Sequence, residues 1–149
     1  PFNNIYPISF SIPKEKMVDF KPKKEKMMAS LIPGILSTYI YDNETSYYNH
    51  YRSSYFALTK KKAGWDCLRH YEILMNYCLP YFEDIEYCPE NILINLPKKE
   101  LVYVKEIYKN FSENRYYELL DYLFEYTKDN LTTEKSAKYI LDVLTKNLK

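Results

Sequence analysis

Residues 64–82 read GWDCLRHYEILMNYCLPYF, and this stretch decides the fold. It predicts a glycine turn, an amphipathic helix of about three turns with Asp66 as its N-cap, and a short apolar strand over residues 79–82. Residues 55–59, just upstream, have the composition of a buried strand, and the three lysines at 60–62 form a basic loop. The order of strand, basic loop, helix and strand predicts one βαβ unit with parallel strands.

The residues upstream extend this pattern. Residues 6–12 alternate apolar and polar side chains and predict a first strand, and the apolar residues 27–32 predict a second strand that ends at a proline–glycine turn. Asp42 or Asn43 is the predicted N-cap of a helix whose tyrosines, at positions 47, 48, 51 and 55, share one face. These tyrosines fit either sugar stacking or simple core packing.

From residue 98 onward the apolar spacing is helical throughout, and Thr132 or Thr133 is the predicted cap of the last helix. Strands that alternate with helices, followed by helices alone, predict an α/β fold. We expect a three-layer, Rossmann-like parallel sheet with flanking helices and a helical C-terminal segment over residues 98–149. We expect residues 1–149 to form one α/β domain that is part of a longer protein.

Composition excludes several classes of protein. The 149 residues carry a net charge of +1 with acids and bases interspersed, which argues against a nucleic-acid partner. The three cysteines lack the spacing of a disulfide framework or a zinc site, so we expect reduced thiols, a cytoplasmic location and no metal cofactor. No apolar run is long enough to span a membrane.

The start of the central helix carries the strongest functional signal. Asp66, Arg69 and His70 are spaced to share one face of its first turns. A diphosphate placed there would meet free backbone N–H groups, the Arg69 guanidinium and a lysine such as Lys62. The alternative is an ordinary surface ion pair of Arg69 with Asp66 or Glu72, which would have no functional role.

The same stretch resembles a known family. Arg-x-x-Glu on a helix, here Arg69 and Glu72, followed by Cys-Leu-Pro at residues 78–80 and an apolar strand, resembles the C-terminal half of exostosin-like glycosyltransferases of the GT-B type. The resemblance implies one half of a GT-B fold, in which this domain holds the nucleoside-diphosphate sugar donor. Transfer would be to a hydroxyl of an acceptor such as a glycan, and an upstream partner domain would supply the acceptor side. It assigns no catalytic residue.

The resemblance also implies a set of donor contacts. Arg69 would bind the diphosphate and Glu72 the ribose hydroxyls, while Gly64 would allow a close approach of the loop. Trp65 would either stack on the base or pack against the core, and His70 would orient the helix start or bind a phosphate. The complete expected donor site is Lys62, Gly64, Trp65, Asp66, Arg69, His70 and Glu72.

The chain departs from the family at Tyr77. The family usually has glycine before the cysteine of its Cys-x-Pro motif, and this chain has Asn76-Tyr77 there. A left-handed backbone at Tyr77 would be costly for a bulky residue. This departure supports an alternative function, a non-catalytic α/β interaction module that keeps the fold without the ligand.

Overall fold

The computed structural model describes residues 5–147, and its centre is a parallel sheet. Strands β1 (Lys26–Met28), β2 (Ser54–Thr59) and β3 (Leu79–Phe82) lie in the order β1-β2-β3, and both neighbouring pairs are parallel. Phe56 pairs with Met28 on one side and with Leu79 on the other. The predicted strand pair around the central helix is therefore confirmed.

Helices connect the strands and complete the domain. Their bounds are α1 Glu44–Arg52, α2 Leu68–Met75, α3 Lys98–Lys109, α4 Glu113–Asn130 and α5 Thr133–Asn147. Single 3₁₀ turns cover Lys14–Lys16, Leu36–Thr38 and Ile85–Tyr87. Helix α1 joins β1 to β2, and helix α2 joins β2 to β3, so each parallel pair has a helical crossover. The described residues confirm an α/β fold with a helical C-terminal segment.

The predicted first strand is wrong. Within residues 6–12 only Ile12 pairs, through a single bridge to Thr132. Pro7 at its start and Pro13 at its end have no backbone N–H to donate to a ladder. The side chain of Ile8 is 72% exposed, so the apolar alternation here faces the surface rather than the core. The second predicted strand is present but is limited to β1.

The sheet separates two hydrophobic clusters. Phe56 and Leu79 belong to the larger one, which α3 and α4 complete, while Ala57 and Cys78 belong to a smaller one that contains Tyr51 of α1. Successive strand residues point to opposite faces, so adjacent positions of β2 serve the two clusters. Tyrosine fills much of this core: Tyr51, Tyr71, Tyr77 and Tyr116 are all nearly fully buried.

Helix α2 begins one residue later than the sequence predicts. Its N-cap is Cys67, not Asp66, and the N-cap side chain makes no capping bond. The Asp66 carboxylate accepts hydrogen bonds from the Phe10 backbone N–H (2.9 Å) and the Tyr71 hydroxyl (3.0 Å). Both oxygens are therefore used to hold the N-terminal segment against α2. The cap predicted for α1 is confirmed, since the Asn43 side chain accepts from the N–H of Ser46.

Helix α2 ends in a Schellman motif with tyrosine in the left-handed position. Tyr77 has φ of 54° and so adopts the left-handed backbone that is costly for a bulky residue. Its N–H bonds to the Leu74 carbonyl at 3.0 Å, and the Cys78 N–H bonds to the Ile73 carbonyl at 3.2 Å. Glycine usually fills this position because a Cβ disfavours the conformation.

Side-chain contacts offset this cost. Tyr77 is only 2% exposed, and its ring lies edge-on to Phe124 with centroids 5.2 Å apart. Its hydroxyl donates to the Asp121 carboxylate, and its backbone carbonyl accepts from the Lys24 ammonium. The turn is therefore stabilised by α4 and the N-terminal segment instead of by a glycine.

Replacing Tyr77 tests this balance. Tyr77→Gly relieves about 1 kcal/mol of backbone strain but loses a buried aromatic ring that contributes about 3–5 kcal/mol. We expect a net loss of about 2–4 kcal/mol in the free energy of unfolding, measured by urea denaturation. Tyr77→Phe keeps the ring and should lose only about 1–2 kcal/mol with the Asp121 bond. A glycine variant as stable as the wild type would show that strain dominates.

Candidate functional site

A cavity lies beside the carboxyl ends of the strands, between helices α1 and α2 and the segment that follows β1. Its volume is about 300 Å³. We call it the tyrosine cavity. Its lining is Leu31, Tyr39, Tyr41, Asp42, Asn43, Glu44, Tyr47, Tyr48 and Glu72. Among the described residues, the lining contributes four phenol rings and three carboxylates and no basic side chain.

Two predicted phosphate-binding residues meet at the edge of this cavity. The Arg69 guanidinium donates to the Tyr39 hydroxyl at 2.8 Å, and the Lys62 ammonium lies 3.5 Å from the same oxygen. Burial of the phenol raises the pKa of Tyr39. The hydrogen bond and charge of Arg69 outweigh this effect and hold the pKa below its usual value. The buried Nε of Arg69 has no hydrogen-bond partner within residues 5–147.

Glu72 faces the tyrosine cavity and is bound from one side. The Tyr47 hydroxyl donates to its Oε2 at 2.8 Å. Burial raises the pKa of Glu72, and the Tyr47 bond and the charge of Arg69 only partly offset this increase. In the part of the chain that the structure describes, Arg69 forms no ion pair with Glu72 or with Asp66. The surface ion pair that the sequence left open is therefore not formed.

His70 is part of the core and does not face this cavity. Its Nδ1 accepts from the Thr59 hydroxyl at 2.8 Å, and its Nε2–H donates to the Trp65 carbonyl at 2.9 Å. The imidazole is fully buried and stacks on Phe82 with centroids 4.4 Å apart. Burial lowers the pKa of His70, which favours the neutral ring that these two bonds require. His70 therefore joins the end of β2 to the start of α2.

Gly64 and Trp65 lie in the loop after β2. A Cβ built on Gly64 would have no heavy atom within 4 Å, and its φ is outside the left-handed region. The loop therefore does not need glycine for its own packing. Trp65 is partly buried against Phe82, with centroids 6.4 Å apart, and the Lys61 ammonium lies 5.0 Å from the centre of its ring system.

The structure thus brings together part of the predicted donor site. Arg69 and Lys62 converge on Tyr39, and Glu72 lies in the adjacent cavity. Asp66 and His70 are occupied by structural bonds elsewhere. The sequence did not single out Tyr39, because it lies in an irregular segment with no periodicity.

The sheet topology constrains where a ligand can bind. Open α/β sheets bind ligands where the strand order reverses. The strand order β1-β2-β3 contains no reversal within the described sheet, so the candidate site depends on the loops rather than on a crevice between diverging strands. Among residues 5–147 there is no group of three or more side chains arranged to hold a metal ion, and no helix has the length and apolar character needed to cross a membrane.

Comparisons with models of protein families, with curated proteins and with solved structures find no match to this chain. The function has to be argued from the residues of the chain itself.

The imidazole of His50 behind the tyrosine cavity provides a test by pH. It stacks on Tyr41 with centroids 4.4 Å apart, and its Nδ1 bonds to the Tyr47 carbonyl. Burial lowers its pKa to about 4. Between pH 6.5 and 4 the unfolded state then binds more protons than the folded state, so stability must fall as the pH falls through this range.

We expect His50 to contribute a loss of up to about 3 kcal/mol on acidification, which urea unfolding at several pH values would measure. His50→Phe keeps an aromatic ring without a titrating group and should show a shallower decline with falling pH. Parallel curves for the two proteins would contradict the buried neutral imidazole.

Proposed function

We propose that this chain is the donor-binding domain of a GT-B glycosyltransferase and binds a nucleoside-diphosphate sugar. The observation that carries the proposal is the convergence of Arg69 and Lys62 on the Tyr39 hydroxyl, next to a cavity that holds the Glu72 carboxylate. The two cationic side chains, which can bind phosphate, thus lie beside the Glu72 carboxylate, which can accept hydrogen bonds from sugar hydroxyls. These groups lie near the carboxyl ends of the parallel strands, the end at which α/β sheets bind ligands, although the described sheet has no reversal of strand order there.

Each residue has a role in this proposal. The Arg69 guanidinium fork and the Lys62 ammonium bind the diphosphate, and they offset the charge that develops on it as the leaving group. Glu72 accepts hydrogen bonds from sugar or ribose hydroxyls through the carboxylate oxygen that Tyr47 leaves free. In the same loop, the Lys61 ammonium lies over the Trp65 ring system. An upstream domain would supply the acceptor site and the catalytic base, and the free thiols favour a cytoplasmic setting.

Arg69→Ala tests the diphosphate contact directly. We expect calorimetric titration with UDP, GDP and their sugar conjugates to show saturable binding to the wild type. The variant should bind the preferred nucleotide at least about 1 kcal/mol more weakly, because it loses a charge-assisted hydrogen bond. Arg115→Ala is the matched control, since Arg115 also donates to a tyrosine hydroxyl, that of Tyr103, but on α3 and α4. Equal losses in both variants, or no binding by the wild type, would overturn the proposal.

Gly64→Ala tests whether a ligand approaches the backbone of this loop, separately from any effect on the stability of the fold. The structure leaves open space at the position of the new methyl group, so stability should be unchanged or rise by up to about 1 kcal/mol. If a phosphate approaches the loop backbone closely, nucleotide binding should weaken in the same variant. Thermal unfolding and titration of one sample give both results, and unchanged nucleotide binding would remove Gly64 from the site.

The alternative is a non-catalytic interaction module. It is favoured by helix α5, in which no residue is buried and whose Leu141 and Leu144 are 61% and 52% exposed. Exposed apolar side chains on one helix are typical of a surface that binds another protein. Tyr77 no longer favours this alternative, because the turn that usually requires glycine is formed with tyrosine. Failure to bind any nucleotide, together with a mapped protein partner on α5, would favour it.

A further inference from the structure

The chemistry of the tyrosine cavity differs from that of a phosphate site. Its rings come from Tyr39, Tyr41, Tyr47 and Tyr48, and its charges come from carboxylates alone. The faces of phenol rings carry negative potential, which attracts cations and repels anions. A diphosphate therefore fits at its edge, beside Arg69 and Lys62, but does not fit inside.

The carboxylate of Glu72 lacks a cationic partner. Tyr47 donates to Oε2, and within the described chain no ammonium or guanidinium group lies within ion-pair distance of either oxygen. Glu44 differs, because it pairs with Lys16 at 2.6 Å on the exposed side of α1. Glu72 is thus a partly buried carboxylate that faces an open cavity and has no ion-pair partner among residues 5–147.

The cations near Glu72 are directed elsewhere. The Arg69 guanidinium donates to Tyr39 and lies 5.6 Å from the centre of that ring. His50, behind Tyr41, is neutral above about pH 4 because burial lowers its pKa. His50 therefore adds no positive charge to the cavity at neutral pH, and burial of a positively charged ligand would offset the cost of a carboxylate that has no ion-pair partner.

We propose that the tyrosine cavity binds an organic ammonium group, held between the phenol rings and the Glu72 carboxylate. The size of the cavity, about 300 Å³, suits a small organic group better than a bare metal ion. The ammonium group has two possible sources, a free small cation or the amino group of a donor sugar. The second source rests on the function proposed above.

Choline and 3,3-dimethyl-1-butanol test the need for positive charge. The two molecules have nearly the same shape, and only choline is charged. We expect choline to bind the wild-type chain about tenfold or more tightly than the alcohol, as cation–π contact with a carboxylate nearby requires. The chemical shifts of the cavity tyrosines, followed by NMR during titration, measure both affinities. Equal affinities, or no binding of either molecule, would overturn the proposal.

Two variants locate the binding site. Glu72→Gln keeps an acceptor for the Tyr47 hydroxyl but removes the charge, so choline affinity should fall about tenfold while affinity for the alcohol stays unchanged. Glu134→Gln, at an exposed position of α5, is the matched control and should bind choline like the wild type. Loss of choline selectivity in the control, or its retention in Glu72→Gln, would place the charge preference outside this cavity and overturn the proposal.

A second comparison distinguishes the two sources. UDP-glucosamine carries a free amine, and UDP-glucose carries a hydroxyl at the same position. If the amine of a donor sugar occupies the cavity, UDP-glucosamine should bind about tenfold more tightly, and Glu72→Gln should remove the difference. Equal binding of the two donors, together with choline selectivity, would assign the cavity to a free cation. If neither donor binds, the proposed function is contradicted. The choline titration then decides by itself whether the cavity binds an ammonium group.

Discussion

The parallel pairing of β2 on both sides is the constraint on which the site depends. β1 pairs with the first half of β2, and β3 pairs with the second half as far as Thr59 opposite Phe82, so the end of β2 has a fixed position and direction. The Thr59 hydroxyl holds His70, which holds the loop carbonyl of Trp65. The start of α2 is thereby fixed to the end of the central strand. Arg69 and Glu72 project from this helix, so their positions follow from the sheet.

The opposite end of α2 is held by a buried cation. The Lys24 ammonium donates to the carbonyls of Arg52 and Tyr77, which lie at the C-terminal ends of α1 and α2. Those ends carry the negative pole of each helix dipole and therefore suit an ammonium group. Burial nevertheless lowers the pKa of Lys24 to about 8. One side chain thus joins the C-terminal ends of the two helices that form the walls of the tyrosine cavity.

Positively and negatively charged side chains lie close together at this site. Arg69 and Lys62 contact the Tyr39 hydroxyl, and the carboxylate of Glu72 lines the cavity. An anionic group and a neutral or cationic group of one ligand would therefore be separated by this tyrosine. This arrangement accounts for both the diphosphate contact and the ammonium site that we propose. It also explains why Arg69 and Glu72, although three residues apart on one helix, do not pair.

The sequence by itself determined the β2–α2–β3 unit and a polar cap for α1 at Asp42 or Asn43. These features depend on local periodicity and helix capping, which neighbouring residues set. Only the tertiary structure decided that Asp66 binds Phe10, that His70 is buried and that Arg69 turns to Tyr39. It also left residues 6–12 outside the sheet. Those outcomes depend on contacts between distant segments, for which a pattern of neighbours carries no information.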